Sequence, residues 1–220
     1  MRWRAFCFPQ GEELAKTIRS LRIEETGQMR MSREARWIPF TSEQILDCTR
    51  SSSRWEAKLD PGRLTSPTVI DAYEQGHGYL AVKIAGLLPV RKITGPDADR
   101  GELQRYLASV IFCPPMLLNH PYLDCAVVAP TTARLRDRND PQAATVDIEI
   151  DETGRPLGCR AIRPMTVGKK AVLTPWSGTC SCFKTYEGIR VASRLEVSWD
   201  LPEGSFLYYR SEVKSVRALR

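Results

Sequence analysis

The sequence lacks a long apolar run and a recognisable secretory signal. Its longest mainly apolar stretch, YLAVKIAGLLPV at residues 79–90, contains Lys83 and a proline, whereas a membrane-spanning helix needs about 20 apolar residues. The N-terminal MRWRAFCFPQGEELAKT has two arginines but no continuous apolar core. The sequence therefore predicts no membrane-spanning segment and a cytoplasmic location.

Histidine is scarce, with His77 in a glycine turn and His120 in a loop before a proline. Neither has metal-ligand spacing to a thiol, and Cys180-x-Cys182 is not a usual zinc pair. No Gly-x-Ser-x-Gly nucleophile elbow exists, and the Gly-x-Gly at 76–78 leads into a strand rather than into a helix N-terminus. The sequence therefore predicts no metal, no nucleotide and no cofactor.

The seven cysteines do not form the paired framework of a small secreted domain, because their number is odd and they are scattered along the chain. We expect free, mostly buried thiols. Charge of one sign is not in great excess either, since 32 basic and 26 acidic residues give +6. The basic C-terminal segment YRSEVKSVRALR lacks the interleaved aromatic residues of a nucleic-acid site, so we interpret it as a solvated strand face and expect no nucleic-acid partner.

Alternating patterns and turn residues predict many short strands. Hydrophobic content of 42% is ordinary for a soluble globular protein. A meander of roughly ten antiparallel strands with a few helices predicts a mainly β (α+β) fold, in which a strongly curved sheet or half-barrel wraps helices and leaves an apolar cavity. The strands with the clearest patterns are expected near 54–59, on both sides of 76–78, and near 124–129, 144–150, 157–163, 169–174, 180–186, 189–200 and 206–217.

Helical spacing is clearest in DADRGELQRYLASVIF, which predicts a helix over 99–112 that ends before Pro114 and begins with an Asp99/Glu102 capping box. Weaker patterns predict a helix over 12–23 and a short helix that Thr41 or Ser42 would cap. We therefore divide the chain into an N-terminal helical segment, 1–27, and a single curved-sheet domain, 28–220.

Ionisable residues on the strands around 76–78 are the candidate catalytic groups. Asp71 and Tyr73 share one face of a predicted strand, and Lys83 lies on the face of the next strand that Leu80 and Val82 do not occupy. That face is either solvated or the wall of a polar cavity. Asp71, Lys83 and Tyr73 are therefore the candidate acid and base residues.

The paired cysteines precede a predicted hairpin turn at Glu187-Gly188. A two-residue turn pairs Cys180 with Leu195 and Cys182 with Ser193, which places both thiols on the apolar face of the following strand. A three-residue loop would turn Phe183 inward instead. Thiols two residues apart on a strand lie about 7 Å apart, too far for an unstrained disulfide.

Several stretches in order, DAYEQGHGYLAVKIAGLLPV, TGPDADRGELQRYLASVIFCPPMLL, LTPWSG and YEGIRVASRLEVSWDLPEGSFLYYR, resemble a bacterial family known only as a domain of unknown function. The resemblance implies an architecture similar to the half-barrel lipoprotein carriers. Where its members carry an acid, this chain has Ser109 and Cys182, two positions at which the resemblance implies a cavity wall.

Three functions fit this sequence. The first is a cofactor-free cyclase or isomerase acting on an apolar small molecule, the second is a non-catalytic carrier of lipid-like ligands, and the third is a protein-interaction module. The lack of a predicted membrane anchor favours the enzyme. Two or more ionisable groups converging on the cavity would also favour it, whereas a uniformly apolar cavity would favour the carrier. The candidate ligand-binding residues are Trp37, Trp55, Tyr106, Ser109, Trp176, Cys180, Cys182, Tyr186, Trp199 and Tyr209.

Overall fold

Antiparallel strands joined mostly in sequence order make up the body of the protein. The computed structural model describes residues 2–62, 66–84, 89–140, 142–168 and 170–220. In this part of the chain thirteen strands form one sheet. They are β1 Ser20–Met29, β2 Ile38–Asp47, β3 Ser53–Leu59, β4 Thr68–Glu74, β5 His77–Lys83, β6 Pro89–Ile93, β7 Leu123–Ala129, β8 Thr132–Asp137, β9 Val146–Ile150, β10 Pro156–Val167, β11 Lys170–Tyr186, β12 Ile189–Leu201 and β13 Gly204–Leu219.

The sheet is open, with the strand order β6-β5-β4-β3-β2-β1-β13-β12-β11-β10-β9-β8-β7. Pairing of β1 with β13 joins the first and last strands in its middle, so β6 and β7 are its two edges. The open antiparallel sheet confirms the mainly β part of the predicted fold class, with more strands than the ten expected.

In the described ranges four short helices accompany the sheet. They are α1 Arg2–Cys7, α2 Glu13–Lys16, α3 Pro96–Ala108, which a 3-10 turn at Ser109–Ile111 follows, and α4 Met116–Asn119. The helical segment of α3 and α4 connects the two edge strands. Because α3 contacts both β4–β5 and β9–β10, the sheet must curve around it. The inner, concave face of the sheet is therefore the face that α3 covers.

Alternation of buried and exposed residues identifies that inner face. On β3, Ser53, Trp55, Ala57 and Leu59 are buried, whereas the residues between them are more exposed. From the helical side, α3 contributes buried apolar residues at helical spacing, including Leu103, Tyr106 and Leu107. Each fully buried leucine stabilises the fold by about 2 kcal/mol, so α3 is an integral part of the core.

Two helix predictions near the N-terminus are wrong. Helix α2 ends at Lys16, and the predicted helix over 12–23 gives way to β1, in which Leu21, Ile23 and Glu25 are buried in alternation. The predicted boundary at residue 27 falls inside β1, which pairs along its length with β2 and β13. Residues after Thr41 continue β2 instead of forming a helix.

The predicted helix over 99–112 is confirmed and begins slightly earlier, at Pro96. Its predicted capping box is wrong, because Gly95 occupies the cap and makes no side-chain cap bond. Asp99 instead accepts a 2.7 Å hydrogen bond from the backbone N–H of Gly78 on β5. This acid ties the helix to the sheet.

Candidate functional site on the concave face

Four charged side chains meet between α3 and the sheet, and we call them the charged cluster: Asp71, Glu102, Arg105 and Arg163. Arg105 donates a 2.6 Å hydrogen bond to Asp71 on β4. Glu102 lies 4.0 Å from Arg105 and 3.9 Å from Arg163 on β10. Arg163 also donates a 2.7 Å bond to the carbonyl oxygen of Gly101. The cluster therefore joins the two limbs of the sheet through α3.

Burial changes the acid strength of the carboxyl groups in the charged cluster. Desolvation raises the pKa of Asp71 even though Arg105 and Arg163 oppose it. Desolvation, with a contribution from the Asp71 charge, raises the pKa of Glu102 to about 7. Burial would lower the pKa of Arg105, but the neighbouring carboxylates outweigh it and raise that pKa. Glu102 is thus the group whose charge changes near neutral pH.

Aromatic rings lie against both guanidinium groups. Arg105 is centred 4.7 Å from the Trp55 ring, and Arg163 is centred 4.6 Å from the Trp176 ring. The Trp176 indole N–H donates a 3.0 Å bond to the Tyr208 hydroxyl. Tyr208 stacks on Trp199 with 6.0 Å between ring centroids. Such contacts stabilise a cation most where water is excluded, so they hold both arginines against the wall of the sheet.

A second buried acid, Glu25 on β1, lies beside this wall. Its oxygens accept bonds from the hydroxyls of Ser42 (3.3 Å), Tyr209 (3.3 Å) and Ser211 (3.0 Å) and from the Trp55 indole N–H (3.4 Å). The donors come from three neighbouring strands. Trp55 therefore contacts Glu25 through its N–H and Arg105 through its ring face.

The two most prominent depressions in the described residues do not match the predicted apolar cavity. One depression of about 710 Å³ lies on the outer face of β1–β4 and is lined largely by charged and hydroxyl side chains, such as Glu43, Arg54 and Glu56. A smaller one lies beside the turn at Glu187-Gly188. In the part of the chain that the structure describes, the inner surface beside α3 is polar and aromatic rather than uniformly apolar.

Five of the predicted site residues lie at this wall. They are Asp71, Trp55, Trp176, Trp199 and Tyr209. Tyr106 and Ser109 belong to α3 and its continuation, but they serve the packing of the helix. The Tyr106 hydroxyl lies 2.9 Å from the carbonyl oxygens of both Asp47 and Arg50. Ser109 donates to the carbonyl oxygen of Arg105.

The other two candidate catalytic residues lie outside the charged cluster. Lys83 is the last residue of β5, and Thr68 and Pro89 are its strand neighbours on either side. It alternates with the inward-facing Val82, so its side chain is on the outer face. Burial raises the pKa of Tyr73 to about 12. A tyrosine with that pKa stays protonated at neutral pH and is a poor general base.

The predicted two-residue turn at Glu187-Gly188 is confirmed, and Cys180 pairs with Leu195. The prediction that both thiols face inward is wrong, because Cys182 has a φ of 55° and is exposed. This left-handed residue interrupts the alternation, and Phe183 packs against Phe6 with 5.0 Å between ring centroids. Cys180 is half-buried, and its thiol lies 3.3 Å from the carbonyl oxygen of Pro156.

Trp37 and Tyr186 also lie apart from the charged cluster. Trp37, between β1 and β2, lies between the guanidinium groups of Arg30 and Arg210, each 4.6 Å from its ring. Tyr186 precedes the β11–β12 turn and packs, half-buried, against the core. Both positions favour a structural role.

Sequence reasoning missed five residues at the wall: Glu25, Glu102, Arg105, Arg163 and Tyr208. A signal was present in the helix, where Glu102 and Arg105 are three residues apart and so share one side of α3. Arg163 is on the same strand face as Cys159 and Ala161, so its strand position places it on the inward face. Charged residues at buried-face positions were the usable signal.

Within the described residues, no three side chains of the metal-binding types are grouped closely enough to hold a metal ion. No helix in those ranges has the length and apolar character needed to cross a membrane.

Comparison with models of known protein families identifies the family of this chain. A family model, described as a family of unknown function, DUF6920, matches residues 1–217. The chain belongs to this family. The predicted resemblance to a domain of unknown function is therefore confirmed. No curated protein matches the sequence.

Two solved structures share the architecture. A LolA superfamily protein from Nitrosomonas europaea is 10% identical, with coverage of 97% of this chain and 94% of that protein, and a TM-score of 0.51. A DUF1329 family protein from Desulfovibrio piger is 13% identical, with coverage of 93% and 87% and a TM-score of 0.53. At these identities the similarity establishes a LolA-like fold.

Proposed function

We propose that the protein is a non-catalytic binder of a lipid-like ligand with an anionic head group, which it holds on the concave face beside α3. The observation that carries the proposal is the placement of Arg105 and Arg163 against aromatic rings on that face. The LolA-like fold supports the same class of function, because the family resemblance implies an architecture similar to the half-barrel lipoprotein carriers.

Charge in the cluster favours an anion. With Glu102 protonated, the one negative charge of Asp71 faces two positive guanidinium groups, which leaves a net charge of +1. Glu102 lies 3.9–4.0 Å from both arginines, longer than a hydrogen bond. The buried Arg163 Nε has no hydrogen-bond partner in the described residues. Guanidinium groups bind carboxylates and phosphates through paired N–H donors, so an anionic head group fits here.

Apolar side chains next to the cluster suit the ligand's tail. Ala57 and Leu59 on β3 and Val69 on β4 lie on the inner face, in line with Trp55 and Asp71, and are at most 9% exposed, so a tail reaches them by displacing the side chains packed on them. Burial of each tail methylene in such surroundings contributes about 0.8 kcal/mol. An amphipathic molecule therefore matches both halves of this surface.

The experiment is native mass spectrometry of the purified protein, with chemical analysis of any extracted ligand. Binding is then measured by tryptophan fluorescence with decanesulfonate, whose charge does not change with pH, and with decanol as the uncharged match. We expect decanesulfonate to bind more tightly. Arg163→Met should weaken it about tenfold, the loss of one charge-assisted contact.

Arg54→Met is the matched control, because Arg54 lies on the outer face and bonds to Glu56. It should leave binding unchanged. Equal affinity for decanesulfonate and decanol, or equal loss in both variants, would contradict the proposed head-group site.

Acid–base catalysis is the second candidate, since the pKa of Glu102, raised to about 7 by burial, gives the cluster a group able to exchange a proton near neutral pH, with Asp71 beside it. If the protein is an enzyme, the extracted ligand changes mass on incubation with it. Asp71→Asn would abolish that change while retaining the ligand. A ligand of constant mass supports the binder.

A further inference from the structure

The net charge of the protein comes from one hairpin. Residues 153–186 contain six basic residues and no acidic residue, whereas the whole chain has 32 basic and 26 acidic residues. The rest of the chain therefore has 26 of each. The six are Arg155, Arg160, Arg163, Lys169, Lys170 and Lys184. Almost all of this segment forms β10 and β11, which pair with each other from Gly158 to the hairpin tip.

The tip of this hairpin projects from the sheet. Pairing of β10 with β9 ends at Arg160, and pairing of β11 with β12 ends at Trp176. Helix α3 contacts the base of the projection, where Arg163 bonds to Gly101. Beyond it, Pro164–Val167 and Lys170–Leu173 pair only with each other. Four residues at a strand rise of 3.3 Å project about 13 Å.

Both faces of the projecting tip are apolar and exposed. Val167 and Val172 are on the inner face and are 55% and 49% exposed, whereas Leu173 on the outer face is 56% exposed. Lys170 is exposed and has no carboxylate within ion-pair distance in the described residues. Exposed apolar side chains grouped in this way indicate an interaction site.

We propose that this hairpin tip, residues 164–173, docks the protein on the surface of an anionic lipid bilayer. Apolar side chains enter the boundary between head groups and acyl chains, which interfacial segments reach to a depth of about 5–10 Å. A projection of about 13 Å spans that depth. Lys170, which is exposed in the tip, then lies at the level of the negatively charged head groups, which attract it.

Two features favour a bilayer over a protein partner that adds a strand. Pro164 and Pro175 lie in the part of the hairpin that has no third strand, and a proline cannot donate a hydrogen bond to a new neighbour. The hairpin tip also has apolar residues on both of its faces. Lipid can surround both faces, whereas a groove on a protein partner would cover only one.

Bilayer docking is independent of what the concave face holds. It requires the exposed tip and its charge, whereas ligand binding requires the charged cluster at the hairpin's base. Failure of one therefore leaves the other intact.

The test is co-sedimentation of the ligand-free 220-residue chain with vesicles. Vesicles of phosphatidylcholine mixed with phosphatidylglycerol are compared with pure phosphatidylcholine. We expect binding to the anionic vesicles, weaker binding in high salt, and little binding to the neutral ones. The double variant Val167→Asp/Leu173→Asp should lose at least tenfold in affinity, and Lys170→Glu should lose about tenfold.

Val127→Asp/Val128→Asp is the matched control, because these valines of β7 are also exposed, at 65% and 49%. It should bind like the wild type, and circular dichroism should show all variants folded. Absence of binding to anionic vesicles, or equal binding by the tip variant, would overturn the proposal. If the protein does not bind anionic vesicles and the tip instead captures a protein, the hairpin is a binding site for a protein partner.

Discussion

Two buried glutamates on the concave side have opposite surroundings. Glu25, on β1 near the middle of the sheet, is 3% exposed and accepts hydrogen bonds from four side chains. Glu102, on the helix, is 9% exposed, and its nearest cations are 3.9–4.0 Å away. The Glu25 carboxylate is hydrogen-bonded by protein donors, whereas the Glu102 carboxyl group has only two guanidinium groups beyond hydrogen-bond distance.

The difference separates a structural acid from a functional one. Donors to Glu25 come from β2, β3 and β13, so its carboxylate fastens the middle of the sheet. Glu102 has lost water without gaining equivalent hydrogen bonds, which raises its pKa to about 7. Its charge can therefore respond to pH or to an arriving anion, as the proposed head-group site requires.

Replacement of the structural acid should have the largest effect. Glu25→Ala leaves four buried donors without an acceptor, and we expect a loss of about 3 kcal/mol in the free energy of unfolding. Urea denaturation measures it. Glu24→Ala is the control, since Glu24 is exposed on the outer face, and it should change stability by at most about 0.5 kcal/mol. A loss below about 1 kcal/mol for Glu25→Ala would contradict the fastening role.

Replacement of the functional acid should change the pH dependence of stability. The pKa of Glu102 is raised above its unfolded value of 4.5 to about 7. The native state therefore holds a proton that the unfolded state has lost, so this stabilisation is full below pH 4.5 and disappears as pH rises through 7. We expect it to supply about 2–3 kcal/mol at pH 5 and almost none at pH 8.

Glu102→Gln should flatten that part of the curve, which urea denaturation at pH 5 and pH 8 measures. The variant should match the wild type more closely at pH 5 and exceed it in stability at pH 8. Glu43→Gln, on the exposed outer face of β2, should keep the wild-type slope. An unchanged slope in Glu102→Gln would show that the charged cluster does not control it.

Local pattern predicted the helix that covers the concave face and the register of the β11–β12 hairpin. Both depend on short-range rules, namely helical spacing in 99–112 and a two-residue turn at Glu187-Gly188. The prediction over 12–23 is wrong because Leu14, Ile18 and Leu21 have helical spacing, whereas pairing with β13, 180 to 199 residues away in sequence, makes a strand of the chain from Ser20 onward. The helix or strand propensity of a short segment does not depend on such distant contacts, so it cannot predict them.

The charged cluster was only partly predictable for the same reason. Asp71 was identified from its strand position, but its partner Arg105 lies on α3, and Arg163, which faces Glu102, lies on β10. Only the folded topology brings these elements together. At Cys182 the predicted strand register is correct but the predicted side-chain direction is wrong. This single residue has a left-handed backbone conformation, which turns its thiol outward.

Removal of a single donor to Glu25 should have the smallest effect. Tyr209→Phe deletes one of four hydrogen bonds, and we expect a loss of about 1 kcal/mol in the free energy of unfolding. Tyr186→Phe, whose hydroxyl has no partner among the described residues, is the control. Because burial and Glu25 raise the pKa of Tyr209 well above its usual value, this tyrosine stays neutral between pH 5 and 8. The Glu102-dependent slope should therefore survive in Tyr209→Phe, and a flattened slope would mean that the two glutamates act as one network.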